Sequence, residues 1–129
     1  MLIFGHPWVP SPSLKKIFTR EELPHLQGDD IALLEPLTES ITLAQHCQEA
    51  GIPFAVTVNE LRNALIANAL GADYIVCQQE DAIEIQPLAE RYLFDTKVLV
   101  LIEEEREIER VARFSIDGVI FPSAILQVS

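Results

Sequence analysis

The sequence predicts a single α/β domain, residues 1–129, organised around a mainly parallel β-sheet of five to six strands built from βα repeats. Three observations carry that expectation. From residue 31 onward, short runs rich in Val, Ile and Phe alternate with segments of helical period. The runs are apolar almost throughout, the pattern of strands covered on both faces, as in a parallel sheet. Their starts fall 20 to 24 residues apart, which leaves room for one strand, one helix and two short loops.

Two organisations satisfy this pattern. A doubly wound, flavodoxin-like three-layer sheet reverses its strand order and carries helices on both faces. A half (β/α)8-barrel-like sheet, the alternative, keeps consecutive order with every helix outside. The flavodoxin-like form is the expectation, because an isolated half-barrel would leave an apolar concave face open to water.

Taken in order, "MLIFG" reads as a sixth strand. Residues 6–30 then form an irregular, proline-containing segment in which "HPWVPSPS" is loop and "LKKIF" is a candidate edge strand. Within it, "TREELPHLQGDD" permits a short helix opened by Thr19, with Glu22 at capping-box spacing, and closed near Pro24. The repeating strands are "IALLE" (31–35), "PFAVTV" (53–58), "DYIVC" (73–77), "KVLVLIE" (97–103) and "DGVIFP" (117–122). Between them, "TESITLAQHCQEAG" offers Thr38 as N-cap and Gly51 as stop, with Ile41, Leu43, Ala44 and Cys47 inward. "VNELRNALIANALG" is capped by Asn59 and turns Leu61, Ala64, Leu65 and Ala69 inward. "EDAIEIQPLAERYLF" either starts or kinks at Pro87, which cannot donate a helical hydrogen bond. "EEEREIERVARFSIDG" turns Ile108, Val111, Ala112 and Phe114 toward the sheet.

Composition excludes several classes of function. With 20 acidic against 9 basic residues the net charge is −11, which repels a phosphate backbone and argues against a nucleic-acid partner. No apolar run reaches the roughly 18 to 20 residues of a membrane span. The start, "MLIFGHPWVP", lacks the basic residues of a signal peptide, so the expected location is the cytoplasm. Cys47 and Cys77 lack CxxC spacing and read as buried, reduced thiols.

In parallel α/β sheets ligands bind beyond the carboxyl ends of the strands, where loops and helix N-termini converge. That rule selects His6, Glu35, Cys77, Gln78 and Glu103 as the candidate strand-end site, with Thr57, Asn59, Asp81 and Ser123 at the same edge. Most acids there sit in first helical turns and offset the helix dipole. Glu35 and Glu103 are the two that this explanation covers least well, and they suit a hard cation or an acid/base pair. His6 as a general base would need an orienting carboxylate, which Glu35 supplies if its strand neighbours the first. No metal-binding motif is present and no cofactor is indicated. Trp8, alone in a proline-rich stretch, is a candidate interface anchor. Homo-oligomerisation is expected, because a short strip of apolar strands needs cover for its edges.

The stretch "GIPFAVTVNELRNALIANALGADYIV" resembles one βαβ unit of the sugar-phosphate-binding (β/α)8 barrels, with strand, helix and GAD turn in that order. The resemblance implies the βα repeat. It implies no phosphate site, since the family's phosphate-binding glycines have no counterpart at "IEEE" or "FPSA". A receiver-like phosphoacceptor domain matches in size but would need paired acids after its first strand and a lysine after its fifth, which this chain lacks. The expected function is a small binding or interaction module. The alternative is a small metal-dependent or acid/base enzyme using the strand-end carboxylates.

Overall fold

The computed structural model describes residues 1–128. Eight strands form one all-parallel sheet: β1 (Leu2–Phe4), β2 (Leu14–Lys16), β3 (Ile31–Leu34), β4 (Phe54–Thr57), β5 (Tyr74–Cys77), β6 (Lys97–Leu101), β7 (Gly118–Ile120) and β8 (Ile125–Gln127). Their order is β1-β7-β6-β5-β4-β3-β2-β8. Four helices, α1 (Ile41–Ala50), α2 (Leu61–Ala69), α3 (Gln79–Arg91) and α4 (Glu107–Ala112), connect β3 through β7 in turn.

From β2 to β7 neighbouring strands are consecutive in the chain, with no reversal point. The sheet is a half-barrel, which corrects the flavodoxin-like expectation, and its eight strands exceed the five to six foreseen. The reason lies in the concave face. Phe4, Leu14, Leu33, Val76, Leu99 and Ile120, contributed by six different strands, are buried in one cluster to which none of the four α-helices contributes. Phe4 of edge strand β1 meets Tyr74 of central strand β5 edge-on, with ring centroids 5.2 Å apart. The inner face curls far enough to cover itself, so the exposed apolar surface that disfavoured a half-barrel does not arise.

Chain connectivity enforces the curl. Ile120 of β7 and Ile125 of β8 are joined by residues 121–124, a tether of at most about 19 Å. In a flat sheet the six strand spacings between β7 and β8 would separate them by about 29 Å. The tether therefore draws the two edges together, and it crosses the end of β1. Phe121 N–H donates to Phe4 O (2.9 Å) and Ser123 Oγ to Gly5 O (2.9 Å). A Cβ on Gly5 would lie 3.1 Å from Ala124 Cβ, and its φ of +88° also favours glycine. β1 itself lies tightly on β7, because a Cβ on Gly118 would stand 2.5 Å from Leu2 O.

The outer face holds the helices through small residues. Ala44 and Cys47 of α1, Ala64 and Ala67 of α2 and Ala82 of α3 are fully buried, and they pack in the same cluster as Phe54, Ile75 and Val98. α1 follows Ser40 instead of Thr38, because a short 3-10 turn (Leu37–Glu39) occupies the expected first turn. α2 is capped at Glu60 instead of Asn59. Leu65, Ala69, Ala112 and Phe114, expected inward, are exposed. α3 runs through Pro87. Residues 6–30 contain β2 and a 3-10 helix (Arg20–His25) opened by the Thr19–Glu22 capping box. β2 is not an edge strand, since it lies between β3 and β8. No helix among the described residues is long and apolar enough to cross a membrane.

Candidate functional site

Polar side chains gather at both ends of the half-barrel but are used differently. At the amino ends of the strands each serves the backbone. Asp73, from the GAD turn, accepts from Phe54 N–H at 3.0 Å, and Asp117, one repeat pair later, accepts from Val98 N–H at 2.9 Å. Buried Gln86 accepts from Asp117 N–H at 3.0 Å. Thr96 Oγ1 donates to Ala72 O at 2.6 Å and lies 3.1 Å from Asn68 Oδ1. These groups hold one repeat to the next.

At the carboxyl ends the strands open onto a cavity of about 270 Å³. Leu33, Val76, Leu101 and Ile125 supply apolar walls, and Lys16, Glu35, Thr57, Asn59, Gln78 and Asp81 supply polar groups. Ile125 starts its strand yet lines this mouth, because the tether lifts β8 past the end of β1. A second cavity of about 660 Å³ adjoins it between Phe18, Leu37 and Asn63. Glu35, Thr57, Val58 and Asn59 line both cavities and form the ridge between them.

Glu35 is the most connected group at the mouth. Its carboxylate accepts from Thr57 Oγ1 at 2.8 Å and pairs with Lys16 Nζ at 3.1 Å. Lys16 was hidden in the sequence, since nothing in "LKKIF" says which lysine points to the mouth. Its neighbour Lys15 pairs instead with Asp30 at 2.9 Å. Asn59, Gln78 and Asp81 make no side-chain hydrogen bond to other described residues. Asp81, at the start of α3, has its carboxyl pushed up, first by desolvation and then by the charges of Glu80 and Glu84. Cys77 is buried, and desolvation, followed by Asp81 and Glu80, pushes its thiol up to about 12. It is protonated at neutral pH and packs with Sγ 3.8 Å from Leu99 O.

The remaining candidates lie apart from this group. Glu103 lines a separate polar cavity of about 380 Å³ with Arg106 and Arg110. Gln78 and Leu101 border both this cavity and the mouth. The backbone N–H groups of Glu103 and Glu104 are capped by Glu107 at 3.0 and 2.9 Å, which lowers the Glu107 carboxyl. His6 does not meet Glu35, because β7 through β4 separate β1 from β3. Its Nε2 lies 2.9 Å from Glu105 Oε1 and its Nδ1 accepts from Trp8 N–H at 3.1 Å. With Nδ1 an acceptor, Nε2 is the donor to Glu105. Trp8 stacks edge-on against His6 at 5.2 Å and is 83% exposed. Among the described residues no three His, Cys, Asp or Glu side chains are grouped so as to share a metal ion.

Compared with known proteins, the chain matches no family model, and no curated protein is similar to it at a significant level.

Proposed function

We propose that the protein is a cytoplasmic binding module for a small molecule, with its site at the carboxyl-end mouth of the half-barrel. The observation that carries this reading is a pocket with apolar walls and a few convergent polar groups, the usual make-up of a ligand site. Three of those groups, Asn59, Gln78 and Asp81, are left uncommitted by the fold. The enzymatic alternative draws less support, because Glu35 and Glu103 line separate cavities and His6 pairs with Glu105. Two buried, unbridged cysteines suit a reducing compartment. A net charge of −11 disfavours nucleic acid.

A fragment library screened by thermal shift, against wild type and the Asn59→Ala/Gln78→Ala double variant, tests the site. Hits that stabilise the wild type and lose that effect in the variant are expected. Hits that stabilise both chains equally would place binding elsewhere.

Self-association through Trp8 belongs to the same proposal, since 83% exposure of the lone Trp suits an interface anchor. Light scattering should give a dimer or larger species for wild type and a smaller one for Trp8→Ala. A monomer in both cases ends the claim.

A further inference from the structure

The cavity at the mouth has a charge balance that selects among small molecules. Lys16 is the one basic residue in its lining and is held by Glu35 at 3.1 Å, while Thr57 satisfies the second Glu35 oxygen at 2.8 Å. The Lys16 charge is thus balanced by Glu35. Asp81 lines the same cavity with no partner among the described residues, and Asn59 and Gln78 also line it. Among the described residues lining it, an anion would meet no cation that is not already paired. The start of α3 offers it no substitute, because a helix N-terminus amounts to about half a positive charge, and Glu80, Asp81 and Glu84 together outweigh that. The opposite wall is hydrocarbon, from Leu33, Val76, Leu101 and Ile125.

We propose that the ligand of this mouth is a small amphipathic cation, a primary ammonium on a short hydrocarbon body. Resting on the binding function proposed above, this names its ligand class. The ammonium donates to Asp81 and to the amide oxygens of Asn59 and Gln78, while the hydrocarbon lies on the apolar wall. The Asp81 carboxyl, raised first by desolvation and then by the charges of Glu80 and Glu84, is compatible with this role, since an arriving cation would offset those two charges.

The test is an NMR titration of the 15N-labelled full chain with three probes of one size: n-butylammonium, 1-butanol and butyrate. Butylammonium should shift the amides of Asn59, Gln78 and Asp81 saturably and bind about tenfold more tightly than 1-butanol, a charge-dependent preference. Butyrate should leave those amides unmoved. Asp81→Asn should weaken butylammonium about tenfold, whereas Glu84→Gln, outside the cavity lining, should change it less than about twofold. Butyrate binding at the mouth, or butanol binding there as tightly as butylammonium, would overturn the cation assignment while leaving the mouth as a ligand site. An unchanged affinity in Asp81→Asn would also overturn it. Silence from all three probes would do so too, and whether the mouth binds anything is then decided by the fragment screen.

Discussion

The two ends of the half-barrel use the same residue types for opposite purposes. At the amino ends Asp73, Asp117, Gln86 and Thr96 each hold a backbone group of a neighbouring repeat within hydrogen-bond distance. At the carboxyl ends Asn59, Gln78 and Asp81 hold none and border a cavity instead. A buried backbone N–H left without an acceptor costs roughly 1 to 3 kcal/mol, so the first set is fixed by the needs of folding. The second set answers no such need. The difference teaches that a polar side chain at a strand end marks a site only when the backbone does not claim it.

Substitutions along β1 and β7 bear most heavily on the structural end. Gly118→Ala should cost about 3 kcal/mol, since its Cβ would meet Leu2 O at 2.5 Å and Leu2 Cβ at 2.7 Å. Urea denaturation measures this, and a cost below about 0.5 kcal/mol would mean that β1 is not closely seated on β7. Next come Asp73→Ala and Asp117→Ala, each expected to cost about 2 kcal/mol by orphaning Phe54 N–H or Val98 N–H. Equal losses from Gln78→Ala would erase the distinction between the ends.

The mouth should respond in the other direction. Asp81 is raised in the fold, so between the ordinary and the raised value the native chain binds more protons than the unfolded one, and stability falls as pH rises. Asp81→Asn removes that loss. It should gain under about 1 kcal/mol at pH 7, with the gain fading as pH drops through the carboxylate range, in denaturation curves taken across pH. Glu107, whose carboxyl is lowered by the Glu104 and Glu103 N–H groups, carries the reverse sign. Its stabilisation is present at neutral pH and is lost on acidification. The smallest effects are expected from Asn59→Ala and Gln78→Ala, within about 0.5 kcal/mol of wild type, as for exposed residues with no structural partner.

Much of the repeat was legible in the residues. The runs around Ile31, Phe54, Tyr74, Lys97 and Gly118 are strands, and Leu2–Phe4 is a strand as well. Apolar periodicity finds such elements because both faces are buried. It does not tell a reversed sheet from a consecutive one, since strand interiors look alike in both. The deciding feature is the tether 121–124, too short to reach across a flat sheet, and it leads into the three-residue strand Ile125–Gln127, too short and too exposed to carry the apolar signal of the other strands. At the mouth, Glu35 and Gln78 could be found from their strand ends. Lys16 could not, because its place depends on β2 entering the sheet between β3 and β8. His6 and Glu103 share the correct end of the barrel with Glu35, but position along a strand does not say which strands stand side by side.

One measurement addresses the contrast between the ends most directly: an amide chemical-shift map of the labelled protein with a mixture of small polar fragments. The expected result is that the largest shifts fall on Thr57, Val58, Asn59 and Gln78, while Asp73, Thr96 and Asp117 remain still. Shifts concentrated on Asp73, Thr96 and Asp117, with the mouth silent, would contradict the assignment of binding to the carboxyl ends.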